Sequence, residues 1–242
     1  GVHEFLRIIV LFLPFFVYIF LLTIQRPYGD WDAWSLWSLH ARSLLRSGAE
    51  WSTSALTIHH PWLLPLFLVW GWAISGGETI VISMLTATFF TFFTVGLLVS
   101  ALLTRLENRF VAYSSGILLF SSFFFVYHAT SQYADIVVAY YFLGVVVYFL
   151  KTCQRPSRKH IMILSLFLGF LSFTKQEGIA IVVLFLLFAF LRFFRSQEYF
   201  SSSQKNIFFF SSFSAMLPTI LVAFVFPIAI HRQGLLGKSL SV

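Results

Sequence analysis

Charge is what this sequence has least of. Only 10% of its 242 residues are Asp, Glu, Lys or Arg, against about a quarter in an ordinary soluble domain. No long polar stretch interrupts the chain, and 59% of it is hydrophobic, including 32 phenylalanines. A water-facing surface could not accommodate so much apolar matter, which excludes a soluble globular domain as the main body. Cysteine is nearly absent as well: Cys153 stands alone, which excludes an internal disulfide and leaves the compartment open. The first apolar run, Ile8 to Ile24, lacks a small-residue cleavage site. Gln25, Arg26 and Pro27 follow it, so it reads as a retained helix and not a signal peptide. The net charge of +7 has no water-facing domain to sit on. It therefore speaks of membrane topology and argues against a nucleic-acid partner. The chain begins with Gly1, not Met, and stops soon after its last apolar run. It is expected to be the N-terminal part of a longer protein.

Apolar runs cover 8–24, 61–75, 79–103, 110–127, 134–150, 161–174, 179–194 and 207–230. A membrane span needs roughly 20 apolar residues. The expected fold is all-α: a single polytopic transmembrane helix bundle over 1–242, with about seven spans. An interfacial or re-entrant helix is expected in the first long loop. The run 61–75 is short and carries Trp62, Trp70 and Trp72, residues favoured at membrane surfaces, so it is the run assigned to the interface. The basic residues support this. If 61–75 does not span, Arg7, Arg105, Arg109, Lys151, Arg155, Arg158, Lys159, Arg192, Arg195 and Lys205 are all cytoplasmic, ten of the 16. If it spans, only Arg7, Lys175, Arg232 and Lys238 are. The positive-inside rule favours the first arrangement. That arrangement also puts Asp30, Asp32, Glu50, Glu78, Asp135 and Glu177 on the non-cytoplasmic face, six of the nine carboxylates.

Chemistry-bearing residues gather in four segments. The non-cytoplasmic loop 25–78 opens Arg26-Pro27-Tyr28-Gly29-Asp30-Trp31-Asp32-Ala33-Trp34. From Asp32 it has the spacing of an amphipathic interfacial helix, with Ala33, Leu36, Trp37, Ala41 and Leu44 on one face and Ser35, Arg42 and Arg46 elsewhere. Asp30 or Asp32 sits at its start, where an ordinary N-cap and a functional carboxylate are both consistent. The pair His59-His60, before Pro61-Trp62, is suited to a metal or a phosphate, or is simply interfacial. The third segment, His128 to Asp135, ends at a helix start, where the dipole favours the Asp135 carboxylate. The fourth, Thr174-Lys175-Gln176-Glu177-Gly178, breaks an apolar stretch too long for one span, and Gly178 reads as turn punctuation. Lys175 and Glu177 there suit either a solvated turn or the grip of a ligand.

Taken in order, Trp31-Asp32-Ala33-Trp34, His59-His60-Pro61-Trp62, Tyr133-Ala134-Asp135 and Lys175-Gln176-Glu177-Gly178 resemble the motifs of membrane glycosyltransferases of the GT-C superfamily. The nearest group is the bacterial relatives of the dolichyl-phosphate-mannose–protein mannosyltransferases. The resemblance covers about residues 5–195. Gln176 stands where the pattern has Asn, and no acidic residue accompanies the His-Pro motif. The resemblance implies inverting transfer of a sugar from a polyprenyl-phosphate-linked donor to an acceptor hydroxyl. It places the protein in a bacterial inner membrane with the site facing the periplasm, with membrane lipid around it. Asp32 matches the motif as catalytic base, with Asp30 as its alternate. Arg26, Trp34, Arg42, Arg46, His59, His60, Tyr133, Asp135, Lys175 and Glu177 are the expected substrate-binding residues, the cations for the leaving phosphate. No cofactor is required by this reading, which leaves room for a divalent cation. Two other readings stand beside it: a transporter or flippase of a lipid-linked sugar, and a non-catalytic subunit of envelope assembly. Transporters concentrate ionisable groups near the bilayer midplane, whereas here the apolar runs are almost free of them.

Overall fold

The computed structural model of the chain describes residues 2–46, 61–155, 157–195 and 202–220. Among these residues every regular element is helical. In chain order they are α1 (Val2–Gln25), a π-helical stretch (Ala33–Ser38), α2 (Leu39–Arg46), α3 (Leu63–Ser75), α4 (Ile80–Leu106), α5 (Arg109–Ser121), α6 (Phe123–Thr130), α7 (Ala134–Gln154), α8 (Arg158–Ser172), α9 (Gln176–Arg195) and α10 (Ser202–Ile220). They form two compact units, one of residues 1–39 and 67–143, the other of residues 40–66 and 144–242.

Among the described residues the all-helical expectation holds, but seven spans are not seen. Among the described residues, α4 and α7 are long and apolar enough to cross a membrane, and α5 with α6 makes a third if the pair is one broken span. The run 110–127 is cut at Ser122, whose backbone is extended, and the two halves bend by 66°. Just before the cut, Ser121 Oγ donates to the Ile117 carbonyl at 2.9 Å, a back-bond of the kind that bends helices. The run 161–174 yields only the 15 residues of α8. The described apolar part of α1 is Ile9–Gln25, just under span length, and α10 is described only to Ile220.

α3, with 13 residues, is about 20 Å long, short of the roughly 30 Å hydrocarbon core. Of the three tryptophans in the run 61–75, two turn inward. Trp72 is buried, and its Nε1 donates to the Thr79 carbonyl at 2.8 Å, closing the turn into α4. Trp62 is buried too, and only Trp70 is openly exposed. The Phe67 ring meets that of Phe90 at 5.7 Å, and Gly71 abuts Ile82, so this part of α3 folds back antiparallel along α4.

The threonines of α4 are satisfied where they stand. In α4 the hydroxyls of Thr86, Thr88, Thr91, Thr94 and Thr104 each donate to the carbonyl four residues back, at 2.7 to 2.8 Å. A helix that answers its own hydroxyls needs no water, which is what hydrocarbon demands. Outward-facing apolar stripes agree: Val10, Leu13, Val17 and Leu21 on α1, and Val183, Leu184, Leu187 and Leu191 on α9, are all exposed. In water such stripes would be aggregation sites; in a bilayer they are simply wetted by lipid.

Within the first unit, α1 runs in the same direction as α5 and antiparallel to α4. Phe12 lies against Phe120 and near Val99, and Phe16 meets Phe92 at 4.5 Å. One end of this unit therefore carries Arg7, Arg105 and Arg109, and the opposite end carries Asp30, Asp32 and Asp135. In the second unit, Tyr148 stacks on Phe167 at 5.6 Å, and Phe149 meets Phe185 at 5.1 Å. Arg192 comes within electrostatic reach of Cys153. Lys151, Arg155, Arg158, Lys159 and Arg192 thus share one end, away from Lys175 and Glu177.

α8 and α10 pack in parallel through a ladder of small residues. Ser165 and Ser212 share a hydrogen bond at 3.1 Å, Ser172 and Thr219 another at 2.8 Å. Between them, Gly169 lies so close to the Ala215 carbonyl that a Cβ would collide with backbone. Small residues bridged by buried hydroxyls are how helices associate where no hydrophobic effect separates them from their solvent.

Candidate functional site

The π-helical stretch Ala33–Ser38 runs directly into α2, with Asp32 at its start. Ala33, Trp37 and Ala41 are buried, as their spacing predicts. Buried His40 joins that face, seven residues beyond Ala33, and its ring meets Trp62 edge-on at 6.2 Å. The sequence reading passed over His40, although its i+7 position was a usable signal. Trp34 is exposed, and its ring makes a T-shaped pair with that of Trp31 at 4.8 Å. Two exposed indoles beside a carboxylate loop suit a sugar face or a lipid headgroup.

The loop from Arg26 to Asp32 is fastened to the turn between α6 and α7, about a hundred residues later. The Ser131 hydroxyl donates to Asp30 Oδ2 at 2.8 Å, and the Ser131 carbonyl accepts from the Asp30 N–H at 3.1 Å. Gln132 Nε2 donates to the Arg26 carbonyl at 2.9 Å and reaches the Pro27 carbonyl at 3.4 Å. The Arg26 carbonyl, just past the end of α1, also accepts the Gly29 N–H at 2.8 Å, so loop and turn share it. Ser131 and Gln132 are both buried. Gly29 turns the loop with φ +67°, pressed against the Ser131 carbonyl. Arg26 Nη1 and Asp30 Oδ2 are 3.5 Å apart in a largely exposed pair, an arrangement that contributes about 0–1 kcal/mol.

The two carboxylates therefore differ. Asp30 is engaged by Ser131 and Arg26. Asp32, half-buried, accepts no side-chain hydrogen bond from the helix it opens. Both act electrostatically on Tyr133. The Tyr133 phenol is pushed up to about 12, first by partial burial, then by its hydrogen bond with Tyr127, with Tyr127, Asp32 and Asp30 adding charge repulsion. It stays a neutral donor across the physiological range. The rings of Tyr127, His128 and Tyr133 cluster at 5.5 to 6.3 Å, and His128 Nδ1 is buried with no hydrogen-bond partner among the described residues. Asp135 follows in the first turn of α7. Arg26, Asp30, Asp32, Trp34, Tyr133 and Asp135 thus all belong to the first unit, at its acidic end.

Arg42, Arg46, Lys175 and Glu177 belong to the second unit. Arg42 and Arg46 project from α2, Arg46 in its last turn. Lys175 Nζ lies 3.4 Å from Glu177 Oε1 at the turn between α8 and α9, with Glu177 mostly in the open. The Phe173 carbonyl in that turn accepts the Leu63 N–H at 3.0 Å, which ties the start of α3 to it. Gly178 is more than punctuation: it is buried in α9, and a Cβ there would strike the Leu171 carbonyl. His59 and His60 lie outside the described residues. Among the described residues, no three His, Cys, Asp or Glu side chains group to hold a metal ion.

Sequence reasoning missed Ser131, Gln132, His128 and Gly29. All four lie inside or beside segments that it had singled out. Nothing in the local pattern tells a serine that its partner is 101 positions earlier. Compared with known protein families, characterised proteins and solved structures, the chain matches none.

Proposed function

We propose that this chain is a membrane glycosyltransferase of the GT-C kind. It moves a sugar from a polyprenyl-phosphate-linked donor to an acceptor hydroxyl at the acidic, non-cytoplasmic face, within a multi-pass bundle of about seven spans in a bacterial inner membrane. The observation that carries the reading is the pairing of an engaged carboxylate, Asp30, with an open one, Asp32, on a loop beside Tyr133. Asp32 is the base. It takes the proton of the acceptor hydroxyl as that oxygen attacks the anomeric carbon from the face opposite the phosphate. The bond from the anomeric carbon to the phosphate oxygen breaks, its electron pair leaves with the polyprenyl phosphate, and the configuration inverts. Arg26, half exposed at the same loop, is the cation we assign to the leaving phosphate. Trp31 and Trp34 supply an aromatic surface for sugar or lipid. The rival transporter reading has less support, because in both units the charges sit at helix ends and not in helix interiors.

The direct test is reconstitution of the full chain in liposomes with a panel of polyprenyl-phosphate hexoses and pentoses together with a membrane extract that supplies hydroxyl acceptors. Protein-dependent release of free polyprenyl phosphate is the expected result. Passage of the intact lipid-linked sugar across the bilayer, with no phosphate released, would replace the enzyme by a flippase. The orientation has its own test, since Cys153 is the single cysteine and shares the basic end of its unit. In intact cells an impermeant thiol reagent is expected to leave it unlabelled until the membrane is opened. Rapid labelling from outside would invert the topology.

A further inference from the structure

Resting on the transferase reading, we infer that Ser131 and Gln132 are positioning residues: the turn between α6 and α7 clamps the loop of Asp30 and Asp32 in its working place. Ser131 engages Asp30 twice, through its hydroxyl to the carboxylate at 2.8 Å and through its carbonyl to the backbone N–H at 3.1 Å. Gln132 takes the two carbonyls with which the chain leaves α1. Both side chains are buried, at 0% and 5% exposure. Gln132 holds φ +59°, a conformation that side chains other than glycine adopt reluctantly. The Arg26–Asp30 pair within the loop is largely exposed and long, so it cannot substitute for the clamp.

The consequence for chemistry is geometric. Asp32 lies two residues beyond the clamped Asp30, and Tyr133 lies one residue beyond Gln132. The same turn that holds the loop therefore sets the separation of the open carboxylate and the neutral phenol. A displacement of about 1 Å at a reacting group costs on the order of 10²-fold in rate. Loss of the clamp should lower kcat more steeply than it raises KM, because the reacting carboxylate must be held to within about 1 Å, whereas the exposed cation and indoles on the same loop tolerate some movement.

The experiment uses the full chain in liposomes, with kcat and KM for transfer measured for Ser131→Ala and Gln132→Ala. Ser131→Ala only deletes an oxygen, and Gln132→Ala keeps the Cβ that the backbone already tolerates, so both variants are compatible with folding. We expect kcat to fall about 10- to 100-fold, with KM moving less than about threefold. On an Asp30→Ala background, Ser131→Ala should cost nothing further, since its target is gone. A second readout does not depend on activity. A nitroxide at position 28, an exposed tyrosine, placed by Tyr28→Cys with Cys153→Ser, should be slow in the parent and gain mobility in both clamp variants. Unchanged kcat, an equal loss on the Asp30→Ala background, or an effect confined to KM would overturn the inference. If the parent protein transfers no sugar, the transferase reading falls and the nitroxide alone decides: mobility gained supports the clamp, mobility unchanged refutes it.

Discussion

Asp32→Asn is expected to lower transfer about 10²–10⁴-fold while leaving the protein folded and inserted. Asparagine keeps the shape of the side chain and remains a good helix N-cap, so the start of the π-helical stretch at Ala33 survives. What it loses is the ability to accept a proton. Asp32 accepts no capping hydrogen bond that the change could break, so the structural cost should be small. Asp30→Asn should behave differently. Its amide oxygen can still accept from Ser131, but its charge no longer meets Arg26. A smaller loss in rate is therefore expected there. The measurement is transfer from a polyprenyl-phosphate sugar in membranes, with expression and melting followed in parallel. Near-normal turnover by Asp32→Asn would remove Asp32 from the role of base, and full loss by Asp30→Asn alone would move the role to Asp30.

The second large effect is structural. Gly29→Ala should lower stability by about 2–4 kcal/mol, from a left-handed backbone that alanine resists and from overpacking. Gly29 has φ +67°, and a Cβ there would collide with the Ser131 carbonyl and come within 2.6 Å of Ala33 Cβ. The backbone carbonyl cannot swing aside as a flexible side chain would, because it already accepts the Asp30 N–H. The loop must lift off the turn, so transfer should fall together with stability. Gly96→Ala in α4 is the control. A Cβ at Gly96 meets nothing within 4 Å, and alanine is the better helix former by about 1 kcal/mol. Thermal unfolding in detergent is expected to shift down for Gly29→Ala and to hold or rise for Gly96→Ala. Equal melting of Gly29→Ala and the parent protein would show that the loop and the turn are not in contact.

Much of this architecture was legible from residue pattern alone. Long apolar runs with almost no internal charge dictate helices, and the loops between them are where carboxylates and cations can stand. The buried face of Ala33, Trp37 and Ala41 follows from helical spacing. The gathering of Asp30, Asp32 and Asp135 at the end of their unit opposite Arg7, Arg105 and Arg109 follows from counting crossings. Patterns of this kind are local: they depend on neighbours three or four residues away, which the sequence displays directly.

The tertiary structure decided what no local pattern encodes. It broke the run 110–127 at Ser122, where the backbone turns extended. It buried Trp62 and Trp72, which composition alone had assigned to a membrane surface, because indole area is as useful against a helix as against lipid. Above all it separated two carboxylates that look equivalent in sequence. Asp30 is engaged and Asp32 open only because the packing of α1 against α5 and α6 carries Ser131 and Gln132 to the end of α1. Periodicity determines that helices form and which face they bury. Which loops meet at their ends depends on how those faces pack, and packing couples residues a hundred positions apart.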